Sequence, residues 1–110
     1  MYILDWGQLT PALFLQQYWQ KKPLLIKNAF PNFIDPLSAD ELAGLAMEEE
    51  IESRLIIANK HNDKNTTAWD VRHGPFNDFD QLPESGWTLL VQAVNHFSPE
   101  CQTLLAPFNF

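Results

Sequence analysis

His61, Asp63 and His73 carry the most suggestive chemistry in this 110-residue chain. A His-x-Asp pair with a later histidine supplies the two imidazoles and one carboxylate that hold non-haem iron on one face and leave other positions open. Chain geometry argues against that reading here. Residues 54–59 and 68–72 are two β-prone runs flanking the polar, turn-rich segment 60–65, the pattern of a long hairpin. Pairing about that tip sets His73 opposite Arg54, on the order of 20 Å from His61 at about 3.3 Å per residue. Ligands of one metal all lie within about 2 Å of it, so His61 and Asp63 read as polar residues of a hairpin tip.

The remaining reactive side chains are isolated. His73 (in His-Gly-Pro-Phe) and His96 (in Val-Asn-His-Phe) have no carboxylate or nucleophile at a readable spacing, and both read as structural or exposed. Glu48, Glu49, Glu50 and Glu52 could bind a cation or a basic peptide, but a charge run at a helix end reads first as a solvated acidic face. Cys101 has no basic neighbour in sequence to activate it and reads as a small core residue. Trp6, Trp19, Trp69 and Trp87 are spread out, which suits packing anchors rather than a stacking platform for bases. With no phosphate-cradling glycine loop, paired catalytic carboxylates or Ser-His-Asp order, no catalytic, cofactor-binding or metal residue is assigned.

Composition narrows the classes further. Hydrophobic residues are 45% and aromatics 13%, ample for a core, and the length supports one domain. The formal charge is −7 with only seven Lys and Arg, which excludes the concentrated basic face that nucleic acids require. Such a balance suits solubility, and also a basic partner. A single cysteine excludes an internal disulfide framework, no apolar run is long enough for a bilayer, and the first residues lack a secretory signal pattern, which together fit a cytoplasmic protein.

Several elements are needed to position these residues. Residues 2–4 fit an edge strand. Thr10 with Pro11 opens a helix to about Gln20, with Leu13, Phe14 and Tyr18 on one side. Residues 24–27 fit a short buried strand, and Ser38-Ala39-Asp40-Glu41 is a capping box opening a helix to about Met47, its apolar face narrow and Gly44 available for close approach. After the hairpin, Phe76, Phe79 and Leu82 are spaced for a helical turn ended by Pro83 and Gly86. Residues 87–91 fit strand or helix by pattern, and Ser98-Pro99-Glu100 opens a last helix to about Ala106.

Three segments, in order, carry a family resemblance: residues 31–55 (PNFIDPLSADELAGLAMEEEIESRL), 73–76 (HGPF) and 87–97 (WTLLVQAVNHF), preceded by FLQQYWQKKP at 14–23. They resemble the N-terminal part of the cupin-type, JmjC-related ribosomal oxygenases of bacteria, and the likeness runs on to Pro107 and Phe108. It favours a strand over 87–91. It also implies a parent that binds Fe(II) and 2-oxoglutarate in a double-stranded β-helix and hydroxylates an arginine of a large-subunit ribosomal protein. In that family the His-x-Asp lies inside the barrel, downstream of the position where Phe110 ends this sequence, so no ligand carries over and neither cofactor is expected on this chain.

The expectation is therefore an α+β fold: residues 1–110 form a single N-terminal segment whose helices, short strands and hairpin pad a barrel missing after Phe110. Alone it should be inactive, and its exposed apolar surface should drive homodimerisation or aggregation. The parent's partner is a basic ribosomal protein, with no direct nucleic-acid or membrane contact. Two alternatives make distinct demands. A stand-alone protein-interaction module requires Phe108 and Phe110 to pack within the monomer; a small metal-binding protein requires His61, Asp63 and His73 to converge.

Overall fold

Alternation decides the central strand. In the computed structural model, which describes residues 2–60 and 67–110, β1 (Ser53–Lys60) turns Ser53, Leu55 and Ile57 inward and leaves Arg54, Ile56 and Ala58 on the opposite, half-open face. This is the period of two that a strand imposes on its side chains. β2 (Thr67–His73) pairs antiparallel with β1 in a register that sets His73 opposite Arg54 and Thr67 opposite Lys60. The hairpin register anticipated from sequence is thus the observed one. β3 (Trp87–Val91) pairs antiparallel on the other side of β1, so the sheet order is β2-β1-β3. Gly86 leads into β3 at φ +78°, a left-handed conformation in which glycine has no Cβ penalty, and its carbonyl accepts from Ala58 N–H at 2.7 Å.

The helices are short, and local chemistry sets their ends. α1 (Pro11–Gln17) starts as expected, with the Thr10 hydroxyl accepting from Leu13 N–H at 3.1 Å. It stops three residues before Gln20. The Tyr18 carbonyl accepts from the N–H groups of both Lys21 and Lys22, Gln20 takes a left-handed φ of 58°, and the Lys21 ammonium donates back to the Gln16 carbonyl. α2 (Ala39–Leu45) has both halves of the capping box, Ser38 Oγ with Glu41 N–H and Glu41 Oε1 with Ser38 N–H, each 3.1 Å. It ends with Ala46 as C-cap, short of Met47. Gly44 has nothing within 4 Å of where a Cβ would sit, so it serves no close approach. α3 (Pro99–Leu104) also ends early and is followed by a 3-10 turn, Ala106–Phe108, that takes in Pro107.

Three expected elements do not form among the described residues. Neither residues 2–4 nor residues 24–27 join a ladder; the nearest backbone bond, Asp5 N–H to Ala29 O at 2.7 Å, lies just beyond both stretches, and Leu25 is 80% exposed. Residues 76–82 make turns instead of a helix. Asp78 Oδ1 accepts from Asp80 N–H at 3.2 Å, an aspartate competing for the backbone that a helix would need.

The fold is α+β, with three helices and one antiparallel three-stranded sheet among the described residues. It divides into two compact units, Leu37–Ser98 and a second made from both chain ends, Met1–Pro36 with Pro99–Phe110. In the first, Ala46, Ile51, Leu55 and Ile57 form the core under one sheet face, with α2 against β3. In the second, rings do most of the packing: Phe14 lies 5.5 Å from Trp6 and 6.2 Å from Phe110, and Phe30 lies 6.3 Å from both Tyr2 and Phe108. Such edge and tilted pairs each contribute about 0.5–1.5 kcal/mol beyond the area they bury.

Candidate functional site

Of the three candidate metal ligands, only His73 lies among the described residues. His73 is exposed at the end of β2 opposite Arg54, while Lys60, the residue before His61, closes the other end of the described ladder, six strand positions or about 20 Å away. His61 and Asp63 themselves lie outside the described residues. Among the described residues, no group of three His, Cys, Asp or Glu side chains is placed to hold a metal ion. His96 is exposed beside the Phe97 ring in the 3-10 turn Val94–His96, and the four glutamates at 48–52 are exposed. Cys101 is a buried thiol in α3, where a small core residue belongs.

The tryptophans divide between packing and open surface. Trp6 sits against Phe14 and Phe110, and Trp19 against Phe14. Trp87 donates its indole N–H to Pro83 O at 2.9 Å. Trp69 is 62% exposed on β2, on the sheet face turned away from the core. Cross-strand register places Val71, Ile56, Ala58 and Leu90 on that same face, with Trp69, Val71 and Leu90 all open to solvent. Arg54 is on this face as well, and its Nε is buried with no hydrogen-bond partner among the described residues. The sequence held a signal for this surface, the apolar alternation Trp69-Asp70-Val71, but only the ladder shows which residues of the other strands share its face.

Concave surface lies elsewhere. In the unit built from the chain ends, Leu4, Trp6 and Phe30 form a wall shared by two apolar clefts of about 440 and 470 Å³. Lys22 stands at the rim of the second, with its ammonium 4.9 Å from the centre of the Tyr18 ring. Phe108 and Phe110 join this aromatic group yet stay 50% exposed. In the sheet unit, a cleft of about 370 Å³ lies between Leu55 and the turns at 76–82, with Arg72 and Asp78 at its edge. The sequence did not disclose the aromatic group, because its members come from residues 2–33 and 108–110. The half-exposed rings, shallow clefts and open sheet face suit packing and docking.

Known proteins resemble this chain along nearly its whole length. The ribosomal protein uL16 3-hydroxylase of Escherichia coli (strain K12) is 53% identical over 96 residues, covering 87% of this chain and 24% of that protein. A probable ribosomal oxygenase of Haemophilus influenzae is 36% identical over 104 residues, covering 93% and 24%. The structure of YcfD, a ribosomal oxygenase from Escherichia coli, in complex with cobalt and succinic acid superposes with a TM-score of 0.84 at 49% identity, covering 98% of this chain and 28% of YcfD. Its complex with cobalt and 2-oxoglutarate gives 0.83 over 98% and 27%. The part of YcfD matched is its N-terminal region. No family model matches the sequence. The chain thus spans about a quarter of the length of these relatives.

Proposed function

Because this chain is homologous, along nearly all of its length, to one quarter of the bacterial ribosomal oxygenases, we propose that it is the N-terminal part of a 2-oxoglutarate- and Fe(II)-dependent oxygenase. The longer protein hydroxylates an arginine of a large-subunit ribosomal protein, in the cytoplasm, within a cupin or JmjC-type barrel that this chain pads. The observation that carries this reading is the 0.84 TM-score at 49% identity to YcfD. Support for the cofactors comes from the cobalt, 2-oxoglutarate and succinic acid bound to YcfD, since succinate is what oxidative decarboxylation leaves of 2-oxoglutarate. Support for the substrate comes from the uL16 3-hydroxylase relative.

The described residues do not fit an iron site, for they bring no three ligands together. Their part is structural: the sheet Ser53–Lys60, Thr67–His73 and Trp87–Val91 offers an open apolar face, and the end-built unit offers half-exposed rings, both suited to covering a further layer of protein. On this reading the catalytic residues belong to the rest of the longer protein, and the chain alone is inactive. The interaction-module alternative draws on one observation, that Phe108 and Phe110 already touch rings of the same unit.

A chimaera tests the proposal. This chain, replacing the matching quarter of YcfD, should restore 2-oxoglutarate-dependent addition of one oxygen atom to a uL16 fragment, read by mass, where the chain alone adds none. A folded chimaera with bound metal and no product would refute the oxygenase assignment.

A further inference from the structure

Arg54 is held in the middle of the sheet by both ladders. It belongs to the central strand β1, opposite His73 of β2 and Leu90 of β3. Its side chain leaves the strand on the outer sheet face, next to Ile56, and its Nε is buried with no hydrogen-bond partner among the described residues. Ile56 and Leu90 have no side-chain acceptor to offer. Asp70 alternates to the core-facing side, and the description breaks off at Lys60 and Thr67, six strand positions or about 20 Å from Arg54.

A guanidinium cannot relieve its burial by losing a proton, because arginine stays charged at any pH that a fold tolerates. Nor can the strand release it. A slip of one residue would turn Leu55 and Ile57, 3% and 8% exposed, out of the core. The partner must therefore come to Arg54, and the shape of the guanidinium specifies it. Nε and the adjacent Nη present two parallel N–H groups in one plane, the fork that a carboxylate meets with both of its oxygens. A neutral carbonyl would satisfy an N–H and leave the charge uncompensated; a carboxylate answers both demands, and does so best beside apolar neighbours such as Ile56 and Leu90.

We propose that the outer sheet face docks the remainder of the longer protein, and that a carboxylate side chain of that remainder pairs side-on with Arg54. The inference rests on this chain being the N-terminal part of a longer protein, and its test reads stability, so it can fail while the oxygenase assignment holds. In the chimaera with YcfD, Arg54→Met should lower Tm by about 5 °C or more, because a buried carboxylate loses its counter-charge. In the 110-residue chain the same substitution should leave Tm unchanged or raise it, because it removes an unpaired donor and keeps the apolar stem. Replacing the Asp and Glu residues of the YcfD portion one at a time by Asn and Gln then identifies the partner: one such change should lower Tm beside Arg54 and recover Tm beside Met. If the Arg54→Met chimaera does not fold, Arg54→Lys, which keeps the charge and loses the fork, gives the same comparison at smaller amplitude. Product formed by the unsubstituted chimaera, read by mass, reports separately on the oxygenase assignment. Equal responses to Arg54→Met in the chimaera and the chain, or no carboxylate whose effect depends on residue 54, would overturn the proposal.

Discussion

Gly74 offers the sharpest test of how the sheet unit is held together. It lies just past β2, where the end of α2 and the start of β1 meet: its N–H bonds Ser53 O at 2.9 Å, and Phe76 N–H bonds Ala46 O at 3.0 Å. Its φ is not positive, so the backbone conformation does not demand glycine; space does. A Cβ there would collide with Ser53 Oγ and sit 3.2 Å from the Phe76 ring and 3.3 Å from Ala46 O. Ser53 and Ala46 are 2% and 0% exposed, so neither can swing into solvent.

Gly74→Ala should therefore cost about 2 kcal/mol, as overpacking a tight site does, or on the order of 10 °C in Tm for a unit of this size. Ser53→Ala alone gives up a weak 3.4 Å hydrogen bond to Ala46 O and should cost about 0.5–1 kcal/mol. The double variant should recover most of the Gly74→Ala loss, because the colliding oxygen is gone, and the two effects will fail to add. Urea denaturation followed by far-ultraviolet circular dichroism measures all three. An unchanged midpoint for Gly74→Ala, or a double variant equal to the sum of the singles, would refute the steric argument.

Ser38→Ala removes one half of the capping box and leaves Glu41 N–H without its 3.1 Å acceptor; a loss of about 1 kcal/mol in chemical denaturation is expected. Leu55→Ala and Ile56→Ala compare the two sheet faces in adjacent residues: Leu55 is 3% exposed and should cost about 2–5 kcal/mol, while Ile56, on the open face, should cost clearly less. Thermal melts of the two proteins at one concentration distinguish them. Phe14→Ala strips a ring in contact with Trp6, Tyr18, Trp19 and Phe110 and should destabilise by about 2 kcal/mol, its partial exposure holding it below a full core deletion; tryptophan fluorescence reports the loss directly.

What could be read from the sequence was whatever local chemistry decides. The Ser38–Glu41 box and the Thr10–Pro11 start are complete within four residues, so both were visible and both are present. The 54–59 and 68–72 runs flank one polar tip, so even the Arg54–His73 pairing followed from counting outward. Residues 2–4 and 24–27 failed as strands because a strand is defined by its partner, and these short apolar runs belong to an aromatic unit assembled from distant residues. The 76–82 stretch failed as a helix because the Asp78 side chain bonds its own neighbour. For function, no motif was available to read: the family likeness rested on the order of three segments, and the open sheet face needed the register of all three strands.

The division of the chain into one contiguous unit and one built from both ends bears on how it emerges during synthesis. Leu37–Ser98 carries all three strands and its own capped helix, so it has every partner it needs before residue 99 is made. The first 36 residues do not: Trp6, Phe14 and Phe30 wait for Phe108 and Phe110, translated some seventy-five to a hundred residues later. Vectorial synthesis thus favours a nascent chain in which the middle is folded while the aromatic group at the beginning still lacks the rings of Phe108 and Phe110. That interval is when a holdase chaperone has the most surface to grip.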